Sequence, residues 1–354
     1  MTEQAALLAA IVADADDDTT RLAYADWLDE NRPDRVPSPA SGPSARAEFI
    51  RVQCRLAAGA FADADYPRLL EREADLATWL NTHDPDDDPG LGGLCYGGEF
   101  EGGEWGDYRR GFLEVVEFED YGDDAAANVD RIAEALDDAF AGYAGRTLLL
   151  KDPLEEEIVR LARRPVFGRL RGLYLDGLGE GDEDGAVAAI ARSPRSVGLR
   201  RLYFDFPLGG KGCEALAGSP HLGNLEALVL DYPSLGAAQI KTLGRSKWFR
   251  NLRRLHLWLG RGDSLRALAG LPPMPRLVSL TLRGAADGSP AVLRRFAASG
   301  AFPRLTHLDL GDARLEGDHV ALLARGQWPL RHLQLGQNEI RKSGAEAKIG
   351  RAHV

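Results

Sequence analysis

Gly262-Asp263-Ser264-Leu265 has the letters of a hydrolase tetrapeptide, in which the serine would attack and a base would take its proton. That chemistry needs a downstream D-x-x-H to orient the base, and no D-x-x-H occurs in the sequence. No G-x-S-x-G is present either. Gly209-Gly210-Lys211-Gly212 offers amides and an ammonium to a phosphate, but the G-x-x-x-x-G-K-[ST] spacing fails, and a turn entering a helix accounts for it. Asp14-x-Asp16-x-Asp18 and Asp84-x-Asp86-x-Asp88 begin like calcium loops. Position 6 is then Thr19 or Pro89 in place of glycine, and position 12 is Ala25 or Cys95 in place of glutamate, so a helix cap and a solvated loop are expected. The 7 histidines show no H-E-x-x-H or paired spacing. No metal or other cofactor is expected, and no enzyme.

What remains chemically is a set of recognition residues, and these recur with the chain's strongest periodicity. Leu305–Asp312 reads LTHLDLGD and Leu330–Asn338 reads LRHLQLGQN, with leucines at relative positions 1, 4 and 6. The same spacing starts at Leu170, Leu199, Leu225, Leu252 and Leu277, so the seven starts are 29, 26, 27, 25, 28 and 25 residues apart. LEVVEFE, with Leu113, Val116 and Phe118, and the run Leu148–Leu150 precede them. Segments such as DEDGAVAAIARSP and PAVLRRFAASG lie between, with helical spacing and a closing Gly or Pro. Each unit is a strand plus a helix that cannot cover its own apolar face, so stacked neighbours must share one core. The pattern resembles the leucine-rich repeat, L-x-x-L-x-L-x-x-N-x-L, in the form with long helical outer segments, as in the ribonuclease-inhibitor type. The resemblance implies an α/β solenoid with a parallel sheet inside and helices outside. Position 9, usually Asn, holds Leu178, Pro207, Pro233, Gly260, Ala285, Ala313 and only last Asn338. The turns must therefore satisfy their backbone differently, and an irregular arc is expected.

In such a strand, positions 4 and 6 face the core and 3, 5 and 7 face outward. Position 5 reads Tyr174, Tyr203, Val229, His256, Thr281, Asp309 and Gln334. Position 7 reads Asp176, Asp205, Asp231, Trp258, Arg283, Gly311 and Gly336, and position 3 adds Arg201, Arg254, His307 and His332. Aromatic residues ringed by Asp and Arg form a protein-binding strip. The expected site is Tyr174, Asp176, Arg201, Tyr203, Asp205, Asp231, Arg254, His256, Trp258 and Arg283, with Trp258 as an exposed anchor.

The elements ahead of the array are helical. Residues 3–13, 19–31, 45–58 and 67–81 have amphipathic spacing, with N-cap candidates at Asp16–Asp18 and a stop at Pro33. LLAAIVADADDDTTRLAYADWLDEN followed by ARAEFIRVQCRLA is similar to the bacterial repeat-companion domain, a short module ahead of repeat arrays. The matching residues include Leu7, Leu8, Asp16–Asp18, Arg21, Leu22, Tyr24–Leu28, Glu48–Arg51 and Gln53. The resemblance implies no activity, and the spacer PSPASGPS is longer here than is usual in that family. The expected division is a helical domain at 1–83, an acidic glycine-rich linker at 84–111 and the array at 112–347. Lys348–Val354, KIGRAHV, is the translation of AAG ATC GGA AGA GCA CAC GTC, a common sequencing-adapter sequence. We expect 348–354 to be adapter-derived and the natural chain to continue beyond.

Charge is segregated. Residues 1–169 carry 37 Asp/Glu and 17 Lys/Arg, a net of −20, and residues 170–354 carry 17 and 26, a net of +9. Either the halves attract or each meets a different partner, and two solvated surfaces of unlike composition fit equally. A cationic set, Arg245, Lys247, Arg250, Arg253, Arg254, Arg294 and Arg295, gives nucleic-acid binding as the alternative function. No reading motif accompanies it, and the acidic first half opposes it, so a protein or peptide is the expected partner. An enzyme in the companion module would rest on Asp26, Arg21 and Glu48 alone. No run of about eighteen apolar residues occurs, so no membrane partner is expected. Cys54, Cys95 and Cys213 are scattered and the N-terminus lacks a basic leader, which leads to a reduced, cytoplasmic setting.

Overall fold

Helices and strands form where the apolar spacing places them. The computed structural model describes residues 2–14, 17–31, 44–58, 65–83, 108–109, 112–113, 115–118, 124–142, 146–260, 263–284, 289–323, 325–338 and 340. The Pro/Ser/Gly spacer up to Pro43, the linker except Tyr108–Arg109, the second calcium-like run beyond Asp84 and the segment 348–354 lie outside the described residues, as does Asp84 itself. By internal contacts the chain divides into two compact units, residues 1–117 with 131–148, and residues 118–130 with 149–354.

The first unit begins with α1 (Glu3–Ala13), α2 (Asp18–Asn31), α3 (Ala45–Ala57) and α4 (Tyr66–His83). Their starts are set by side chains that accept from free amides of the first turn. Thr2 accepts from Ala5 at 3.2 Å and Ser44 accepts from Ala47 at 3.2 Å. Asp17 takes the Thr19 amide at 2.9 Å and the Thr20 hydroxyl at 2.7 Å and so caps α2, while Asp16 lies outside the described residues. Hydrogen bonds from Thr20 and Thr19 hold the Asp17 carboxyl down at about 2. Ile11, Tyr24, Ala25, Leu28, Ala47, Ile50 and Cys54 form one buried cluster, and Ala45, Phe49, Val52, Leu69 and Leu76 a second. The N-terminal helices therefore have a core of their own.

Next come β1 (Tyr108–Arg109), β2 (Phe112–Leu113), β3 (Val115–Phe118), α5 (Ala125–Gly142) and β4 (Thr147–Lys151). The repeats follow as α6 (Glu155–Leu161), β5 (Gly172–Asp176), α7 (Glu183–Arg192), β6 (Arg201–Phe204), α8 (Gly210–Gly218) and β7 (Ala227–Leu235). They continue as α9 (Ala237–Gly244), β8 (Arg254–Leu259), α10 (Ser264–Ala269), β9 (Ser279–Arg283), α11 (Pro290–Ala297), β10 (His307–Asp309), α12 (Gly317–Leu323) and β11 (His332–Gln334). Among the described residues, nine strands form one sheet in the order β11-β10-β9-β8-β7-β6-β5-β4-β3. The fold is an α/β leucine-rich-repeat solenoid.

From β5 to β11 the pairing is parallel and follows the repeat position by position. Leu173, Leu202, Leu228, Leu255, Leu280, Leu308 and Leu333 are successive partners. All seven are at most 2% exposed, so position 4 is one continuous hydrophobic ladder. Position 6 is buried as well, from Leu175 through Phe204, Leu230, Leu257, Leu282 and Leu310 to Leu335.

At three of the turns that lack the asparagine, a side chain of an adjacent repeat binds the backbone instead. Glu155 accepts from the Asp182 amide at 2.9 Å, and Asp184 accepts from the Gly209 amide at 2.9 Å. Ser264 donates to the Leu235 carbonyl at 3.0 Å. Where the asparagine survives it spans the turn: Asn338 accepts from Ala313 at 3.0 Å and Leu315 at 2.9 Å, and donates to the Leu310 carbonyl at 2.7 Å. At the other end of the helices a second ladder forms. Ser193 donates to Ala162 at 2.6 Å, Ser219 to Ala191 at 2.5 Å, and the Trp248 indole to Leu216 at 2.9 Å. Between β7 and β8 the register shifts between Leu230 and Leu235.

Candidate functional site

Parallel pairing puts the outward positions in rows. Tyr174, Tyr203, Val229, His256, Thr281, Asp309 and Gln334 are successive cross-strand partners, so the position-5 row read from the sequence is a physical line across the sheet. Of the position-7 row the register fixes Trp258 directly opposite Arg283, while at β7 the shift between Leu230 and Leu235 interrupts it.

At the β5–β7 end the row is aromatic and acidic. The Tyr174 and Tyr203 rings meet edge-on, with centroids 5.7 Å apart and planes at 64°. Asp176, Asp205 and Asp231 follow one residue beyond the paired strand positions. Burial, then the charges of Asp205, Asp231 and Asp176 and a hydrogen bond to Asp231, push the Tyr203 phenol far above its ordinary range. Asp205 is pushed up to about 6 by burial and then by the Asp231 and Asp176 carboxylates. His256 Nε2 lies 3.2 Å from Asp231 Oδ1, within ion-pair range but out of line for a hydrogen bond. Among the described residues, no group of three or more His, Cys, Asp or Glu could hold a metal ion.

At the β9–β11 end the row is self-paired, with one ion pair and two stacked histidines. Arg283 reaches Asp309 at 3.4 Å. His307 and His332 stack with centroids 4.4 Å apart and planes at 17°. Burial, then the charges of His332, Arg254 and Arg331, push His307 down to about 3.

Two expected anchors sit differently from the sequence reading. Tyr174 stays in the outward row but is only 4% exposed, so only Tyr203 of the pair is half-open. Trp258 is half-buried where full exposure was expected. Its ring lies on Gly284, where an added Cβ would come within 2.9 Å of Nε1, and Gly284 takes φ +62, which L-residues rarely adopt. Arg201, Asp176, Asp205, Asp231, Arg254, His256 and Arg283 are all half-buried on the strip.

Sequence reasoning missed Tyr232. The bulge between Leu230 and Leu235 lifts it out of the strand alternation beside Asp231, and it is 41% exposed. Bulges re-aim side chains in this way near binding sites. The only local signal was Pro233, which cannot donate to a ladder.

The rejected motifs have structural uses. Ser264 is 1% exposed and its hydroxyl is spent on Leu235, while Gly262 lies outside the described residues. In the Gly209–Gly212 turn the Asp184 carboxylate already holds the Gly209 amide, the place an anion would need. In the helical part, Asp26 pairs with Arg51 at 2.7 Å, and Glu48 takes Arg72 through both oxygens at 2.8 and 2.9 Å. Arg21 is 2% exposed, and Trp27 stacks on Tyr24 at 5.9 Å. Cys54 and Cys213 are buried, and burial pushes the Cys213 thiol up to about 12.

Comparisons with known proteins add little. No family model matches the chain. No curated protein matches it. Among solved structures it is similar to a chain of the Rad7 and Elc1 complex in yeast, at 15% identity over 98% of this chain and 96% of that one. The TM-score is 0.28. No helix among the described residues is long and apolar enough to cross a membrane.

Proposed function

We propose that this chain is a non-enzymatic scaffold that binds a protein or peptide along the concave face of its sheet. The observation that supports the reading is the register-locked strip from Tyr203 to Arg283, in which aromatic rings alternate with Asp, His and Arg. Binding energy at protein interfaces concentrates on such Tyr, Trp and Arg anchors when a polar rim surrounds them. The half-buried state of Tyr203 and Trp258 suits that role, because ordering them on binding loses little side-chain entropy. Tyr232 extends the strip at the bulge. The acidic β5–β7 end favours a cationic segment of the partner. The four N-terminal helices are read as a companion module without chemistry of its own, in a cytoplasmic protein.

The test compares partners recovered quantitatively on immobilised wild-type chain, on Tyr203→Ala/Trp258→Ala, and on Val197→Ser, which alters an exposed side chain away from the sheet face. Loss of a partner from the double variant alone supports the concave strip. Equal recovery on all three removes it.

A further inference from the structure

The cations singled out in the sequence separate onto three faces once the repeats are stacked. Arg254 is on the sheet face, Arg294 and Arg295 are exposed on α11, and the rest lie on the loops that lead from each outer helix to the next strand. Those loops run along one rim of the array. Carried to the entrance of each strand, the seven stretches 162–171, 191–200, 218–226, 244–253, 269–278, 298–306 and 324–331 contain a single acid, Glu226. From β8 to β11 the rim carries Lys247, Arg250, Arg253, Arg276, Arg304 and Arg325, all exposed. Among the described residues none of these six forms an ion pair. That acid, Glu226, is held by Arg200 at 2.8 Å.

Helix C-termini attract cations, and that explains Lys247 and Arg325, which sit within a few residues of α9 and α12. It does not explain Arg250, Arg276 and Arg304. These lie six or seven residues beyond α9, α10 and α11, at the entrance to the strands, where the dipole has faded.

We propose that this rim binds the phosphate backbone of a duplex nucleic acid without regard to sequence. Neighbouring strands are about 4.8 Å apart, so β8 to β11 present a stripe roughly 14 Å long, and a duplex carries about one charge per 1.7 Å of its axis. Guanidinium groups match phosphate oxygens through paired N–H donors. A protein partner would need apolar anchors to desolvate, yet the rim's aromatic residues, Trp248, Phe249 and Phe302, are at most 3% exposed, and Trp328 packs on Phe296 at 5.2 Å. The same lack of open rings removes the stacking platform that single strands require. The rim is separate from the concave strip, so either reading stands if the other falls.

The experiment is fluorescence anisotropy of a labelled random 20-base-pair DNA duplex with the full chain from low to moderate salt. Two charge-matched variants, Arg276→Glu/Arg304→Glu on the rim and Arg294→Glu/Arg295→Glu on α11, are compared, with folding checked by circular dichroism. Six phosphate contacts give a log–log salt slope of about −5 for the wild type. The rim variant should bind at least tenfold more weakly with a shallower slope, and the α11 variant should stay within about twofold. Equal weakening by both variants, meaning a response to net charge alone, overturns the proposal, as does absence of binding at low salt. Displacement of the duplex by polyglutamate at equal charge concentration would also overturn it, in favour of an acidic protein.

Discussion

Replacing Leu255 by alanine should remove more stability than any single change on the outer faces of the array. Leu255 is 2% exposed and sits between Leu228 and Leu280, both fully buried, in the middle of the position-4 ladder. The substitution deletes three carbons, worth about 2.4 kcal/mol in transfer free energy. A cavity walled by two ordered strands collapses only in part, which brings the expected loss to about 3–4 kcal/mol. Urea unfolding followed by circular dichroism measures it, with Val197→Ala, at a 53% exposed position, as the control expected to lose under about 0.5 kcal/mol. Stability in stacked repeats is a sum of neighbour terms. The variant should therefore also unfold less cooperatively, as β5–β7 and β9–β11 lose their shared layer. A loss under about 1 kcal/mol, or one equal to the control, refutes a continuous ladder.

Three further outcomes follow from individual contacts. Asp205 has its folded-state pKa raised to about 6, so the native state holds this proton longer than the unfolded chain does, and the stability tied to it falls as pH rises from about 4 through 6. Asp205→Asn should thus match the wild type below about pH 4 and be the more stable above about pH 6 in thermal unfolding; a parallel offset at all pH values contradicts the cause given. Gly284→Ala places a Cβ within 2.8 Å of the Leu259 carbonyl at a positive φ, and should cost about 2 kcal/mol while shifting Trp258 emission. Asn338→Ala leaves the Ala313 and Leu315 amides and the Leu310 carbonyl without their partner, a loss of about 2–3 kcal/mol measurable by urea titration.

The ladder was legible because burial at positions 1, 4 and 6 writes itself into composition at a fixed spacing, and parallel pairing of like positions leaves no freedom once the layers stack. Hence the row from Tyr174 to Gln334 could be written down before any coordinates. Degree of exposure was not legible. Tyr174 is buried and Trp258 half-buried through packing that depends on Gly284 and on adjoining strands, information that lies 25 or more residues away. The turn chemistry was hidden for the same reason: Glu155 serves the Asp182 amide across 27 residues, and Asp184 serves Gly209 across 25. Tyr232 escaped because a bulge breaks the alternation on which the face assignment depended. The cationic set was visible as a count, but only stacking shows that Arg254, Arg294 and Arg250 lie on three different surfaces.

The central claim is that like positions of successive repeats lie side by side across one parallel sheet. Paired cysteines test it most directly, with crosslinks mapped by peptide mass after mild oxidation. His256 and Thr281 are direct partners, so His256→Cys/Thr281→Cys brings two Cα atoms within the about 4.4–6.8 Å that a disulfide bridges. His256→Cys/Arg283→Cys is displaced by two residues, a separation of about 8 Å from strand spacing and rise. The account predicts near-complete crosslinking of the first pair and almost none of the second. Crosslinking of the displaced pair, or of neither, would contradict it.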